Sequence, residues 1–163
     1  MIASIISMAA VAVLTAADQL IKLAVERGLQ PVGSKSFIDG FIGWRYVRNT
    51  GAAFGSFSNS TVLLSVFTAI VLIALIVYVF SGKIKSKFCL VTVTMIIAGG
   101  AGNLIDRIFR GYVVDFIEVQ FTDFAVFNFA DILVTCGAFM LIGYLIYDTV
   151  KEFRAKKAGN GNG

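Results

Sequence analysis

The sequence predicts an all-α polytopic membrane protein, in which four transmembrane helices carry a small extracytoplasmic β-element at the outer membrane surface. Three observations predict this class. Hydrophobic residues make up 58% of the chain and proline occurs once, and the mean hydropathy is +0.85. Long uncharged runs recur along the chain, which is typical of membrane spans and unusual in a soluble domain.

The predicted helices cover residues 3–24, 60–80, 88–107 and 127–148. Residues 61–80 are uncharged and rich in Leu, Ile and Val, and at about 1.5 Å per residue this run matches a hydrocarbon core roughly 30 Å thick. The first and last runs reach spanning length only when Asp18 and Asp131 at their ends are included. The N-terminal run lacks a basic segment before it, so it is expected to be a retained helix and not a cleaved signal sequence.

The four helices leave room for one integral membrane domain, residues 1–157, followed by a disordered tail at 158–163. Two segments between the helices, 37–49 and 112–121, mix aromatic and β-branched residues with glycine. They are predicted to be strands lying at the membrane surface. Their aromatic side chains would sit at the level of the lipid headgroups.

The orientation follows from the density of Lys and Arg. Seven basic residues occur on each predicted side, but those after the second and fourth helices are packed into two short segments, 83–87 and 151–157. Basic residues in short loops favour the cytoplasmic side. Both termini are therefore predicted to be cytoplasmic.

Acidic residues mark the other face. Asp18 and Asp106 end apolar runs and Asp131 begins one, and Asp115 lies in the loop between the third and fourth helices. In a four-helix topology these carboxyls all lie at the outer face. Carboxylates near hydrocarbon are unfavourable, by roughly 2.5 to 3.5 kcal/mol at mid-membrane, so such a group indicates a functional site.

The absence of histidine excludes Ser-His-Asp and Cys-His nucleophile systems and an HExxH zinc site. Cys89 and Cys136 fall near opposite ends of their helices, too far apart for a disulfide, and both are interpreted as small buried hydrophobes. No metal site and no cofactor is predicted.

A serine nucleophile with Lys22 as its base is one remaining chemistry, since Ser56 and Ser58 fall near the same face. However, Asp18 and Lys22 have the i, i+4 spacing of an ion pair on a helix surface, which would keep the lysine protonated. The other chemistry is a pair of aspartates that share one proton, so that one acts as acid and the other as base. Asp115 and Asp131 suit this role because each lies in an apolar stretch. Residue patterns alone leave catalysis and helix capping by Asp131 both open.

Five motifs carry a resemblance to a known family. They are DQLIK (18–22), NTGAAF (49–54), GNLIDR (102–107), VVDF (113–116) and FNFAD (127–131). Together, in this order and within a chain of this length, they resemble the motif set of bacterial lipoprotein signal peptidase, or signal peptidase II.

The resemblance implies an aspartic endopeptidase that removes the signal peptide of prolipoproteins by cleaving before a diacylglyceryl-modified cysteine. The implied catalytic residues are Asp115 and Asp131. The implied substrate-binding residues are Asn49, Gly51, Asn103, Arg107 and Asn128. Asp18, Lys22 and Asp106 are expected to have structural roles.

The expected partners are lipidated prolipoproteins and membrane phospholipids, with no nucleic acid and no metal. The expected location is the bacterial cytoplasmic membrane, with the active site toward the outer leaflet. For Arg107, an ion pair with Asp106 or a contact with a phosphate headgroup is an alternative to a substrate role. A small transporter or channel is the alternative function, and would place acids through the depth of the bilayer. A non-catalytic scaffold would tolerate replacement of Asp115.

Overall fold

The structure, a computed structural model, describes residues 1–51 and 61–160. This part of the chain forms four helices and one antiparallel sheet of three strands. The helices are α1 (Ile2–Leu29), α2 (Thr61–Phe80), α3 (Lys87–Arg110) and α4 (Phe129–Asn160). The strands are β1 (Ser34–Ile38), β2 (Ile42–Asn49) and β3 (Val113–Val119). The predicted fold class is confirmed.

Each of the four described helices is long and apolar enough to cross a membrane. The first and last extend beyond the predicted bounds: α1 continues to Leu29 and α4 to Asn160. The basic segment after residue 148 is therefore helical, since it is rich in good helix formers such as Ala, Lys and Glu and contains no proline. The start of the predicted tail, 158–160, is likewise helical, and residues 161–163 lie outside the described residues.

Helix α3 is the centre of the bundle, since it packs against α1, α2 and α4. Its run of small residues, 98–102, is explained by close helix packing. A Cβ added at Gly99 would collide with the backbone oxygen of Ala130, and one at Gly102 would collide with the carboxylate of Asp18. The absence of side chains at these positions therefore lets α1 and the start of α4 approach α3.

The sheet lies at one end of the bundle, where α1 and α3 finish and α2 and α4 begin. Its order is β1-β2-β3, and both neighbouring pairs are antiparallel. Trp44 stacks on Phe116 of the adjacent strand, with ring centroids 5.9 Å apart. The segment before α4 returns along β3, where Phe127 pairs with Ile117. This return places the first turn of α4 beside β3.

Candidate functional site

A cavity of about 400 Å³ opens where β2, β3, α3 and the start of α4 meet. Asp115 and Asp131 both line it. The other lining residues are Asn49, Asn103, Arg107, Val113, Phe124, Ala125, Val126, Phe127, Ile132, Thr135 and Cys136. Its volume falls within the range of roughly 300 to 1,000 Å³ that is usual for ligand sites, and a mostly apolar wall with a few convergent polar groups is also typical.

Asp115 lies on β3 and is 2% exposed. Strand register brings Asn49 opposite Val113, so Asn49 and Asp115 share one face of the sheet. The side-chain amide of Asn49 donates to Oδ2 of Asp115 at 2.8 Å, and that of Asn128 donates to Oδ1 at 2.7 Å. Burial, and next the charge of Asp131, raise the pKa of Asp115 to about 6, although the two amides oppose this rise.

Asp131 lies in the first turn of α4 and caps that helix together with Asn128. The backbone N–H of Asn128 donates to Oδ2 of Asp131 at 3.0 Å, and the backbone N–H of Asp131 donates to Oδ1 of Asn128 at 2.9 Å. The side-chain amide of Asn103 donates to the other oxygen, Oδ1 of Asp131, at 2.7 Å. Asp131 therefore caps α4 and also lines the cavity, so its capping role does not exclude the catalytic role that the residue pattern left open.

Asn128 was expected to bind substrate. It is completely buried, and its side-chain amide donates both to Asp115 and, at 3.2 Å, to Oδ1 of Asn103. Asn128 therefore lies beneath the two aspartates and connects them, whereas Asn49 and Asn103 reach the cavity wall.

Arg107 also lines the cavity. Its Nη2 donates to the backbone oxygen of Gly51 at 3.3 Å, and its Nη1 lies 3.5 Å from the backbone oxygen of Asn103. Its Nε is buried and has no hydrogen-bond partner among the described residues. The alternative ion pair with Asp106 is not what forms, because Asp106 pairs with Lys22 and Arg110. Gly51 is held in place by its backbone N–H, which donates to Asn49 at 2.9 Å.

The four clustered carboxyls separate into two pairs. Asp18 and Asp106 both contact the ammonium of Lys22, at 2.9 and 3.1 Å. Asp115 and Asp131 are held by neutral amides and line the cavity. The predicted i, i+4 pair is confirmed, but its predicted position on the helix surface is wrong, since Asp18 and Lys22 are both 0% exposed. The reason is that this end of α1 packs against α3, with β3 and the start of α4 beside it.

Two further expectations concern nucleophiles. The ammonium of Lys22 is directed at two carboxylates and at Asn103, which does not support its use as a base. Ser56 and Ser58 lie outside the described residues.

Cys89 is buried as predicted, but Cys136 is exposed, and the prediction of a buried Cys136 is wrong. It lines the cavity beside the first turns of α4, and the sequence contains no signal for that opening.

The described residues contain no group of three or more His, Cys, Asp or Glu side chains placed to hold a metal ion. What the arrangement offers is two carboxyls at one cavity, one with a raised pKa and one at the positive end of a helix. Such a pair can supply a general acid and a general base to a single water molecule.

Comparison with known proteins gives a consistent result. The sequence family described as signal peptidase (SPase) II matches residues 10–147. A lipoprotein signal peptidase from Clostridium acetobutylicum is 38% identical over 138 residues, covering 83% of this chain and 90% of the relative. A lipoprotein signal peptidase from Caldanaerobacter subterraneus is 43% identical over 129 residues, covering 79% of this chain and 87% of the relative.

Solved structures agree. A bacterial membrane enzyme determined at 2.3 Å resolution superposes with a TM-score of 0.80 at 33% identity, covering 88% of both chains. A second, determined at 1.9 Å, has a TM-score of 0.78 at 32% identity, covering 87% of this chain and 93% of the other.

Proposed function

The chain belongs to the signal peptidase II family, and on that premise we propose that Asp115 and Asp131 form the catalytic pair with which it cleaves prolipoproteins. The enzyme is a membrane peptidase that removes signal peptides from lipoprotein precursors. The proposed scissile bond precedes the diacylglyceryl-modified cysteine. The observation that carries the assignment is that two aspartates line one cavity, each held by neutral amide donors.

The two aspartates have different surroundings, which favours different roles. Asp115 is nearly completely buried and has a pKa raised to about 6, so it is proposed to hold the shared proton. Asp131 is half-buried and lies at the N-terminus of α4, where the helix dipole stabilises negative charge. Asp131 is therefore proposed to act as the base.

In the proposed reaction Asp131 takes a proton from water while the water oxygen bonds to the carbonyl carbon. Asp115 gives its proton to the carbonyl oxygen, which forms a neutral tetrahedral intermediate. When the carbon–nitrogen bond breaks, Asp131 gives its proton to the leaving nitrogen and Asp115 recovers one from a hydroxyl of the intermediate. Both aspartates return to their starting states.

Arg107 and Gly51 are proposed to bind the substrate backbone beside the pair. Arg107 lines the cavity, where its guanidinium group can donate to a peptide carbonyl. Gly51 is buried and its backbone oxygen accepts from Arg107, while its lack of a side chain would let a substrate backbone approach closely. Asn49 and Asn103 are proposed to contact the substrate from the same wall while they hold the aspartates.

The membrane placement is also part of this proposal. The described chain has four helices able to span a bilayer, and residues 1–157 are proposed to act as one integral domain in the cytoplasmic membrane. Both termini would be cytoplasmic, with the cavity toward the outer leaflet and phospholipids around the helices. The alternative of a transporter is not supported, since the site acids gather at the sheet end of the bundle and do not continue through its depth.

The test is cleavage of a lipidated and an unlipidated precursor peptide by the purified protein. A diacylglyceryl chain anchors the peptide by about 0.8 kcal/mol per buried methylene and holds the bond at the depth of the aspartates. We expect rapid cleavage before the lipidated cysteine, much slower cleavage of the unmodified peptide at saturation, and no effect of a zinc chelator. Equal rates on the two peptides would show that the lipid does not select the substrate. Loss of activity with a chelator, restored by zinc, would remove the aspartic mechanism.

A further inference from the structure

Lys22 is a lysine with 0% exposure in a position where it faces three acceptors. Within the described part of the chain, its Nζ lies 2.9 Å from Asp18, 3.1 Å from Asp106 and 2.9 Å from Oδ1 of Asn103. An ammonium has three protons to donate. The three acceptors match that number and come from two helices, α1 and α3.

Each carboxylate that Lys22 holds also accepts a hydrogen bond from the backbone next to one of the two catalytic aspartates. Oδ1 of Asp18 accepts the backbone N–H of Ala130 at 3.1 Å. Oδ2 of Asp106 accepts the backbone N–H of Val114 at 3.1 Å. Ala130 and Val114 are the residues immediately before Asp131 and Asp115. The ammonium of Lys22 is thus linked through a single carboxylate to the main chain beside each catalytic aspartate.

The third acceptor, Asn103, also donates a hydrogen bond to a catalytic side chain. Asn103 accepts from Lys22 through Oδ1, so its amide nitrogen must face the opposite way. There it donates to Oδ1 of Asp131 at 2.7 Å. Without the ammonium, only the 3.2 Å hydrogen bond from Asn128 would keep the amide of Asn103 in this orientation, and an amide that turned over would face its oxygen toward the carboxylate of Asp131 and repel it.

We propose that Lys22 is a positioning residue for the peptidase reaction, whose ammonium sets the relative placement of Asp115 and Asp131 through Asp18, Asp106 and Asn103. The inference rests on the proposed function and extends it. It differs from a role in stability alone, because it requires that turnover depend on Lys22 even in a protein that folds. A reaction that needs two carboxyls on one water is sensitive to displacement, and a misplacement of about 1 Å can lower a rate about a hundredfold.

The charge of Lys22 acts on the pair as well. Asp115 is faced by Asp131 from α4, by Lys22 from α1 and by Arg107 from α3, while β2 contributes the neutral Asn49. The ammonium of Lys22 lowers the pKa of Asp115 and so opposes the effect of burial. Removing it would raise the pH at which Asp115 loses the shared proton and the pair becomes inactive.

The experiment compares two variants with wild type on the lipidated precursor. Lys22→Met removes the ammonium but leaves Asp18 and Asp106 buried without it, so the protein can fail to fold. The double variant D18N/K22M relieves this, because the remaining Asp106 keeps its pairing with Arg110. Ser7→Ala is the matched control: Ser7 and Thr94 form another buried polar contact between α1 and α3, at 2.6 Å, away from the site.

We expect D18N/K22M to fold with a melting temperature near that of Ser7→Ala, with kcat lowered about a hundredfold and KM changed by less than about threefold. Ser7→Ala should keep the wild-type kcat. In Lys22→Met, wherever it folds, the alkaline limb of the profile of kcat/KM against pH should move to higher pH. A folded double variant with wild-type kcat would overturn the inference, as would an unmoved alkaline limb in folded Lys22→Met.

If the double variant does not fold, Asp106→Asn replaces it, since this change leaves Lys22 and Asp18 as a balanced pair. It should lower kcat about tenfold with KM unchanged, and unchanged kcat would contradict the inference. Wild-type cleavage is measured first. An inactive wild-type protein contradicts the proposed function, whereas an active wild type with equally active variants contradicts only the role of Lys22.

Discussion

Asn128 and Asp131 cap each other at the start of α4, through reciprocal backbone-to-side-chain hydrogen bonds of 3.0 and 2.9 Å. The side-chain amide of the same Asn128 holds Asp115 at 2.7 Å. Helix initiation and the placement of both aspartates therefore depend on one buried residue. A capping aspartate is usually only structural, but here its carboxylate also faces a cavity.

The proposed catalytic pair predicts that Asp115→Asn and Asp131→Asn each abolish cleavage of the lipidated precursor while the protein still inserts and folds. An amide has nearly the same shape as a carboxyl but can neither hold nor release the shared proton. Turnover is measured on purified variants, with the melting temperature in detergent as the control for folding. Substantial turnover by either variant would remove the assignment.

The raised pKa of Asp115 predicts how stability depends on pH. Its folded-state pKa of about 6 exceeds the unfolded value of about 3.9, so the folded protein binds more protons between these two values. The contribution of this group to stability is present below about pH 4 and is lost as the pH rises through about 6, by roughly 3 kcal/mol.

The measurement is the melting temperature of wild type and Asp115→Asn in the same detergent from about pH 4 to about pH 7. The wild-type value should fall relative to that of the variant as the pH rises. In activity, kcat/KM should have an alkaline limb with an apparent pKa near 6, because the free enzyme needs Asp115 to keep its proton. Parallel melting curves for the two proteins would contradict the raised pKa.

The position of Gly102 predicts that a larger residue there would displace Asp18 and disturb the site. In Gly102→Ala the new methyl group would collide with the carboxylate of Asp18. We expect a loss of stability of about 1 to 3 kcal/mol, as for overpacking elsewhere, together with reduced turnover. The matched control is Gly143→Ala in α4, where nothing lies within 4 Å of the added carbon. Equal melting temperatures for the two variants would show that the contact has no consequence.

Cys136 predicts that the cavity can be blocked chemically. It is exposed and lines the cavity with Asp131, whereas Cys89 is buried in the bundle. A bulky maleimide should inactivate the wild-type protein, and Cys136→Ala should remain active and become resistant. Cys89→Ala is the control and should stay sensitive. Inactivation of Cys136→Ala at the wild-type rate would place the reactive group elsewhere.

The proposed orientation predicts opposite labelling of two loop positions. Asp39 lies in the turn between β1 and β2, and Lys85 lies between α2 and α3 at the other end of the bundle. Both are exposed. In a background without Cys89 and Cys136, a membrane-impermeant reagent added to intact cells should label Asp39→Cys and not Lys85→Cys. The reverse result would overturn the placement of the cavity at the outer leaflet.

The helices and the two strand-like segments could be predicted from the sequence, because uncharged runs of spanning length and β-branched, aromatic segments are local signals. The spacing of Asp18 and Lys22 likewise predicted their ion pair, since residues four apart share a helix face. Local spacing carries no information on what covers that face. The burial of the pair, and the sharing of Lys22 with Asp106, depend on contacts between α1, α3 and the segments that follow α3.

The same limit applies to the cavity. Its apolar surroundings and the family motifs identified Asp115 and Asp131 as candidates, but the roles of the amides depend on which side-chain atoms meet across β2, β3, α3 and α4. The exposure of Cys136 depends on a gap between two elements, and a gap has no sequence pattern.

The sequence by itself determined the membrane class, the helices and the acidic residues at one end, because these follow from composition and periodicity. Only the tertiary structure decided that two of the carboxyls are held by one buried lysine while two remain at the cavity, because that division depends on hydrogen bonds between residues distant in the chain.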